Sequence, residues 1–234
     1  MSGDGDPLQP VGSAVDATPA ARPDATGLAG RFCRVEKLDP VRHGDALWQA
    51  MKGDDGLWTY MANGPFADGK VFANWLDESA VRLDPHAYAV CDFASGAAEG
   101  IVTLMEIRPA MRAIEMGSIV YSRLLQRTPK ATEAQYLVAR HVFETLGYRR
   151  YEWKCNALNA PSRRAALRLG FTFEGIFRQH MIVKGRNRDT AWFSMLDSEW
   201  PARKAAFEAW LDPANFDAAG RQKAGLSAMR GDQT

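Results

Sequence analysis

Residues 147–197 constrain the fold more than any other stretch of this 234-residue chain. An alternating, aromatic-rich run containing Tyr151, Trp153 and Cys155 predicts a strand over 148–155. It runs into an Asn159-Ala-Pro-Ser162 cap, and the short helix that follows is stopped by Gly170. A second strand begins at Phe171, and 190–196 predicts its partner. A strand, a short helix and a strand pair within fifty residues commit the second half of the chain to helices packed on a sheet.

The first half is read in the same way. Residues 1–29 are rich in Ala, Pro, Gly and Asp and hold no aromatic residue, which predicts a disordered tail. Residues 32–38 alternate as a strand, and 43–51 and 67–81 carry helical periodicity. Residues 87–93, a turn at Ala94-Ser95-Gly96 and residues 99–107 make a hairpin, and 113–122 is a third meander strand. Thr128-Pro129 is a strong helix start, and the helix is expected to run to Leu146, burying Leu137, Val138, Val142 and Leu146. A last helix spans 202–211, and few large apolar residues follow. The organisation predicted is a tail over 1–29, one domain over 30–212 and a flexible tail over 213–234.

Composition narrows the function classes. The net charge is only +1, but between residues 121 and 190 fourteen Lys/Arg stand against five Asp/Glu. The basic excess falls on the segment with the clearest fold signal, which points to an anionic ligand bound in one place. Cys33, Cys91 and Cys155 lack metal-ligand spacing and are expected to be buried core residues in a reducing, cytoplasmic setting. No run is long enough to span a membrane, so no membrane partner is expected. A near-neutral chain without a recognition motif also argues against a nucleic-acid partner.

The stretch from Trp153 to Gly175 contains Asn159-x-x-Ser162, then Leu169-Gly-Phe171, then Glu174-Gly175. In these motifs it resembles the C-terminal half of the GNAT acetyltransferase fold, in its RimJ/RimL-like branch. The resemblance extends over about 31–211 and is strongest over 113–197. It implies an α+β (mixed α/β) acyl-CoA N-acyltransferase fold: a central, mostly antiparallel sheet with helices on both faces, splayed between its fourth strand (113–122) and fifth strand (148–155). It also implies acetyl-CoA as co-substrate, no metal, and an amine acceptor that is either a small molecule or a protein N-terminus. The chain would act as a monomer or homodimer.

In that family the CoA pyrophosphate lies in a turn of pattern Gln/Arg-x-x-Gly-x-Gly/Ala, where unpaired N–H groups and a helix dipole meet an anion. The matching residues are Gln126-Arg127-Thr128-Pro129-Lys130-Ala131. Pro129 replaces the central Gly and removes one donor. Lys130, Ala131 and Thr132 keep theirs, and Arg127 and Lys130 add charge. The resemblance further implies that the freed edge of the fourth strand, including Ile119 and Val120, binds the pantetheine and polarises the thioester carbonyl.

Many members of the family place a Tyr before Gly-Phe to protonate the leaving thiolate. Here that position is Ala166. Ser162 is the implied substitute, with the plain alternative of a helix-start Ser bonding its own backbone. Tyr121 is a second candidate acid. Asn159 is expected to be both cap and CoA contact. Glu115, grouped by parity with Gly117 and Ile119, and Glu152 are candidate bases, the alternative being outward strand charges. Trp58 and Tyr60 are expected to line the acceptor cleft, with His180 near its mouth. The basic turn from Lys184 to Asp189 is expected to be solvated. Pro129 and Ala166 also leave open a catalytically silent CoA-binding module of the same fold.

Overall fold

The computed structural model describes residues 9–24 and 27–231. Eight strands form one sheet in the order β1-β2-β3-β4-β5-β6-β8-β7. They are β1 (Leu28–Ala29), β2 (Cys33–Lys37), β3 (His86–Asp92), β4 (Ala98–Arg108), β5 (Ala113–Tyr121), β6 (Arg150–Asn156), β7 (Thr172–Val183) and β8 (Arg186–Leu196). The helices are α1 (Pro40–Met51), α2 (Gly69–Ala80), α3 (Pro129–Arg140), α4 (Ala160–Leu169), α5 (Trp200–Leu211) and the short α6 (Leu226–Met229). Because two residues pair ahead of β2, the expected fourth and fifth strands are β5 and β6. All neighbouring strands are antiparallel except β5 and β6.

Strand alternation sorts the core into two layers. On β3, Tyr88 and Val90 join the cluster under α3, α4 and α5, whereas Ala87, Ala89 and Cys91 join the one under α1 and α2. The sheet is thus covered on both faces, as a buried α/β sheet requires. Caps set the helix starts: Asp39 accepts from Val41 and Arg42, Asp68 from Lys70 and Val71, Thr128 from Ala131, and Asn159 from Ser162. The long helix expected up to Leu146 instead passes into one π-helical turn, His141–Thr145, before Gly147 turns the chain at φ +76°.

β5 carries the feature that positions the site. Thr103 pairs with Gly117 but Ile101 pairs with Val120, so β5 holds one extra residue, a bulge at Ser118 with φ +46°. The bulge reverses the parity of the strand. Ile114 and Met116 face the α3 layer, Val120 faces the α1–α2 layer, and Ile119 and Tyr121 pack toward α3. The grouping of Glu115 with Ile119 is corrected by this extra residue. Beyond the Met116–Trp153 pair β5 and β6 no longer pair, and the two strands splay.

The tails differ from expectation. Residues 1–8, 25, 26 and 232–234 lie outside the described residues. Within the N-terminal segment, Ala20 and Ala21 donate to the carbonyls of Pro109 (3.1 Å) and Leu146 (2.9 Å), and β1 pairs with β2. After residue 213, Leu226 is buried and Asn215 is held by Trp210 and Ala224. These segments are anchored by backbone hydrogen bonds and a few apolar side chains, which a composition average hides. No described helix is long and apolar enough to cross a membrane.

Candidate active site

A cleft of about 1010 Å³ runs from the α1–α2 link, through the splay, past the start of α3 and on to the C-terminal segment. That volume is at the upper end of ligand pockets, roughly 300–1,000 Å³. Its middle is the open edge of β5, where Ile119, Val120 and Tyr121 line the cavity. A strand edge without its neighbour offers N–H and C=O groups to a ligand.

At the α3 end, Gln126, Arg127, Thr128, Pro129, Ala131 and Thr132 line the cleft. Gln126 Nε2 donates to the Tyr121 carbonyl (2.7 Å), and Thr128 Oγ1 donates to the Leu125 carbonyl (2.7 Å). These bonds fold the turn under the helix, with Arg127 in the left-handed region at φ +61°. Lys130 is a correction: its ammonium pairs with Asp92 (3.1 Å) and Glu99 (2.5 Å) and it is not on the cleft wall. Although burial opposes the charge, those two partners hold its pKa above the ordinary lysine value. Beside Arg127, the cationic wall comes from Arg164 and Arg168 of α4. Their i, i+4 spacing, starting two residues after Ser162, is a signal that could have found them.

Ser162 and Asn159 both line the cleft. Asn159 Oδ1 accepts the Ser162 N–H (3.1 Å), so the backbone cap is made by Asn159 and not by the serine hydroxyl. The hydroxyl oxygen instead accepts from the Trp153 indole Nε1 (3.0 Å). An indole can only donate, so the serine proton is left for another acceptor, either the Cys155 sulfur, with which the hydroxyl is also in contact, or a group in the cleft. Trp153, another wall residue, was missed because an aromatic on a buried strand reads as core. Tyr121 differs: its hydroxyl accepts from Gln135 (2.7 Å), and burial raises its pKa above the ordinary tyrosine value.

Glu115 and Glu152 face each other across the last paired rungs of β5 and β6. Neither is an outward charge, since their exposures are 5% and 2%. Lys154 lies between them, 2.9 Å from Glu115 and 3.2 Å from Glu152, with its ammonium 4.1 Å from the centre of the Trp192 ring. Burial pushes the Glu115 carboxyl up to about 6, with Lys154 opposing. Burial acts on Glu152 too, but Arg150 (2.8 Å) and Arg108 (2.5 Å) keep it below its usual range. The two carboxylates therefore differ in basicity, which is the condition for separate roles.

The acceptor side corrects two expectations. Trp58 is buried in an aromatic cluster, edge-on to Phe66 (4.9 Å) and Trp75 (5.6 Å), and is absent from the cleft wall. Gly56, Leu57, Tyr60 and Met61 form the wall there, as expected only for Tyr60. His180 sits in a two-residue bulge of β7, bonded to Thr190 Oγ1 (3.0 Å) and away from the main cleft. Extra residues in β7 turn its side chain outward, which parity counting could not foresee. Residues 184–187 of the basic turn are exposed, and the Lys184 ammonium also donates to the Trp58 (2.9 Å) and Asn63 (3.1 Å) carbonyls. With Tyr60 Oη donating to Leu158 O (3.2 Å), it ties the α1–α2 link over the splayed end of the sheet.

Among the described residues one cluster, Glu36, His43 and Cys91, has metal-ligand chemistry. His43 Nδ1 accepts the Asp39 N–H (3.1 Å), its Nε2 lies 3.4 Å from Glu36, and Glu36 pairs with Arg42 at 2.8 Å. The protein's own bonds account for this arrangement. All three cysteines are free and buried.

Residues 37–172 match the family model described as acetyltransferase (GNAT) domain. No curated protein matches the chain. A GCN5-related N-acetyltransferase from Brucella melitensis is 51% identical over 92% of this chain and 99% of its own, with a TM-score of 0.90. A GNAT-family structure from Chromobacterium violaceum ATCC 12472 is 41% identical over 84% of this chain and 100% of its own, with a TM-score of 0.77. RimL, a ribosomal L7/L12 alpha-N-protein acetyltransferase, is 18% identical over 73% of this chain and 94% of its own, at a TM-score of 0.64, which is a likeness of fold alone.

Proposed function

The chain belongs to the GNAT acetyltransferase family, and on that premise we propose that it transfers the acetyl group of acetyl-CoA to a primary amine by direct attack in a ternary complex. The observation that carries the reading is the splay beyond Met116 and Trp153, which opens onto the same cleft as the start of α3 and the Ser162 hydroxyl.

In this reading the pantetheine lies along the open edge of β5, and N–H groups near Val120 meet the developing oxyanion. Removing such a donor typically costs about 2.7–4 kcal/mol of transition-state stabilisation. The turn 126–132 and Arg164 hold the pyrophosphate. Asn159 positions the start of α4, and Ser162 donates its proton to the departing thiolate sulfur. Glu115, buried beside Lys154 and off the cleft wall, takes the proton of the attacking amine through water, because its raised pKa makes it the stronger base of the pair. Tyr121 serves as a wall held by Gln135. Tyr60, Leu57 and Met61 bound the acceptor, a small-molecule amine or a protein N-terminal amine of the kind RimJ/RimL-like enzymes use. Three free cysteines support a reducing setting such as the cytoplasm.

The test is calorimetric titration of acetyl-CoA followed by thiol release against a panel of amines. Binding with amine-dependent release is expected, with a rate limb rising through about pH 6 that Glu115→Gln abolishes. Binding without release for any small amine or N-terminal peptide would favour a silent CoA-binding module. Failure to bind would sink the donor assignment.

A further inference from the structure

The cleft does not end at the start of α3. It continues to a wall built by α5 and the 213–231 segment, outside the residues that match the family model. Trp210, Phe216, Arg221 and Gln222 line that end opposite Arg168. The segment is fixed there from several directions. Trp210 Nε1 donates to Gln222 Oε1 (2.8 Å), Phe216 packs edge-on to Trp210 at 5.3 Å, and Phe216 pairs with Gln222 in a β-bridge. Arg230 donates to the Leu167 carbonyl at the end of α4 (3.0 Å).

Arg168 is the group this construction leaves in need of a counter-charge. Its guanidinium lies over Trp210, 5.1 Å from the ring centre, and Nη1 donates to Thr132 Oγ1 in the first turns of α3 (3.1 Å). Among the described residues no carboxylate is paired with it. Burial and the neighbouring Arg230 both act against its charge. A guanidinium held this way, with donors to spare and a helix N-terminus beside it, is matched by a phosphate monoester. Arg221 adds a second fork, anchored by Asp217 at 2.8 Å, which also takes up part of its charge. Arg168 is therefore the principal contact.

We propose that this end of the cleft binds the 3′-phosphate of CoA, and that Arg168 and the C-terminal segment make the chain selective for CoA over its 3′-dephospho form. The inference rests on the donor reading above, because the pyrophosphate turn fixes which way the 3′-phosphate points. The two ends of CoA leave its pyrophosphate in opposite directions, and the cleft leaves the α3 turn in two directions, toward the splay and toward Arg168.

The experiment is paired calorimetric titration of CoA and 3′-dephospho-CoA into the full chain and into Arg168→Gln and Arg221→Gln variants. The full chain should bind CoA at least about tenfold more tightly, the effect expected of one charge-assisted Arg–phosphate contact. Arg168→Gln should remove most of that gap, lowering CoA affinity by a larger factor than dephospho-CoA affinity. Arg221→Gln, on an exposed hairpin, should reduce the gap without disturbing the core, so a folding defect in the first variant leaves the second informative. Equal affinities in the full chain would overturn this inference and leave the donor reading intact. A gap that survives both substitutions would overturn it as well. If neither nucleotide binds, both readings fall together.

Discussion

Ser162 shows how much one side-chain contact decides. The same hydroxyl can be a backbone cap or a proton donor, and the choice depends on which partner saturates it. Asn159 takes the cap and Trp153 fills an oxygen lone pair, so the hydrogen is left to be shared between the Cys155 sulfur and a group in the cleft. Ser162→Ala should lower kcat at least about tenfold with little change in acetyl-CoA affinity, as loss of a general acid does. Trp153→Phe keeps the hydroxyl but loses its orientation and should cost a smaller part of kcat. Steady-state kinetics on both variants check this, and equal kcat in Ser162→Ala and the unaltered chain would return the serine to a structural role. At the same scale, Lys130 was placed in the turn by motif position, yet its four-carbon stem carries the ammonium to Asp92 and Glu99 instead. Sequence places a backbone; the direction of a long side chain is settled by the charges it finds.

Among the elements, α3 has the most demands on it. Its N-terminal end faces the cleft, and its buried Glu133 ties the helix to the sheet. The Glu133 carboxylate accepts the N–H groups of Arg31 (2.7 Å), Phe32 (2.6 Å) and Cys33 (2.8 Å), which lead into β2. Gly30 passes so close that a Cβ there would lie 2.3 Å from that carboxyl. Glu133→Ala leaves three backbone donors without their acceptor and should destabilise the fold by at least about 2 kcal/mol. Chemical denaturation measures this, and a change below about 0.5 kcal/mol, ordinary for surface substitutions, would contradict it. β5 teaches the complementary lesson. Its apolar pattern marked it as a strand, but the bulge at Ser118 is one unpaired residue whose signature in the sequence is nil. That residue exchanges the faces of Ile119 and Val120.

At the scale of the whole molecule, three buried histidines couple the fold to pH. His43, His86 and His141 have pKa values lowered from the ordinary 6.5, chiefly by burial. Below pH 6.5 the unfolded chain binds more protons at these sites than the folded one, so stability is full above that pH and declines as pH falls. Glu115 acts in the opposite sense between its ordinary 4.5 and about 6, one group against three. Urea midpoints should therefore drop between pH 7.5 and 5.5, and a flat profile would contradict the neutral, buried state of these rings.

The sequence by itself determined the element order from β2 to α5, both helix starts at the candidate site, the family and the basic character of the donor half. Each depends on local chemistry: alternation, capping side chains, glycine stops and the spacing of Asn159, Ser162 and Gly170. Only the tertiary structure decided which residues meet in the cleft. Trp58 went to the core, His180 went outward, and Arg168, Trp153 and Trp210 came to the cleft wall. The reason is that strand parity, side-chain reach and the seat of a C-terminal segment are set by contacts between residues far apart in sequence. Arg168 acquires its role only when Thr132 and Trp210, thirty-six residues before it and forty-two after it, close around the guanidinium.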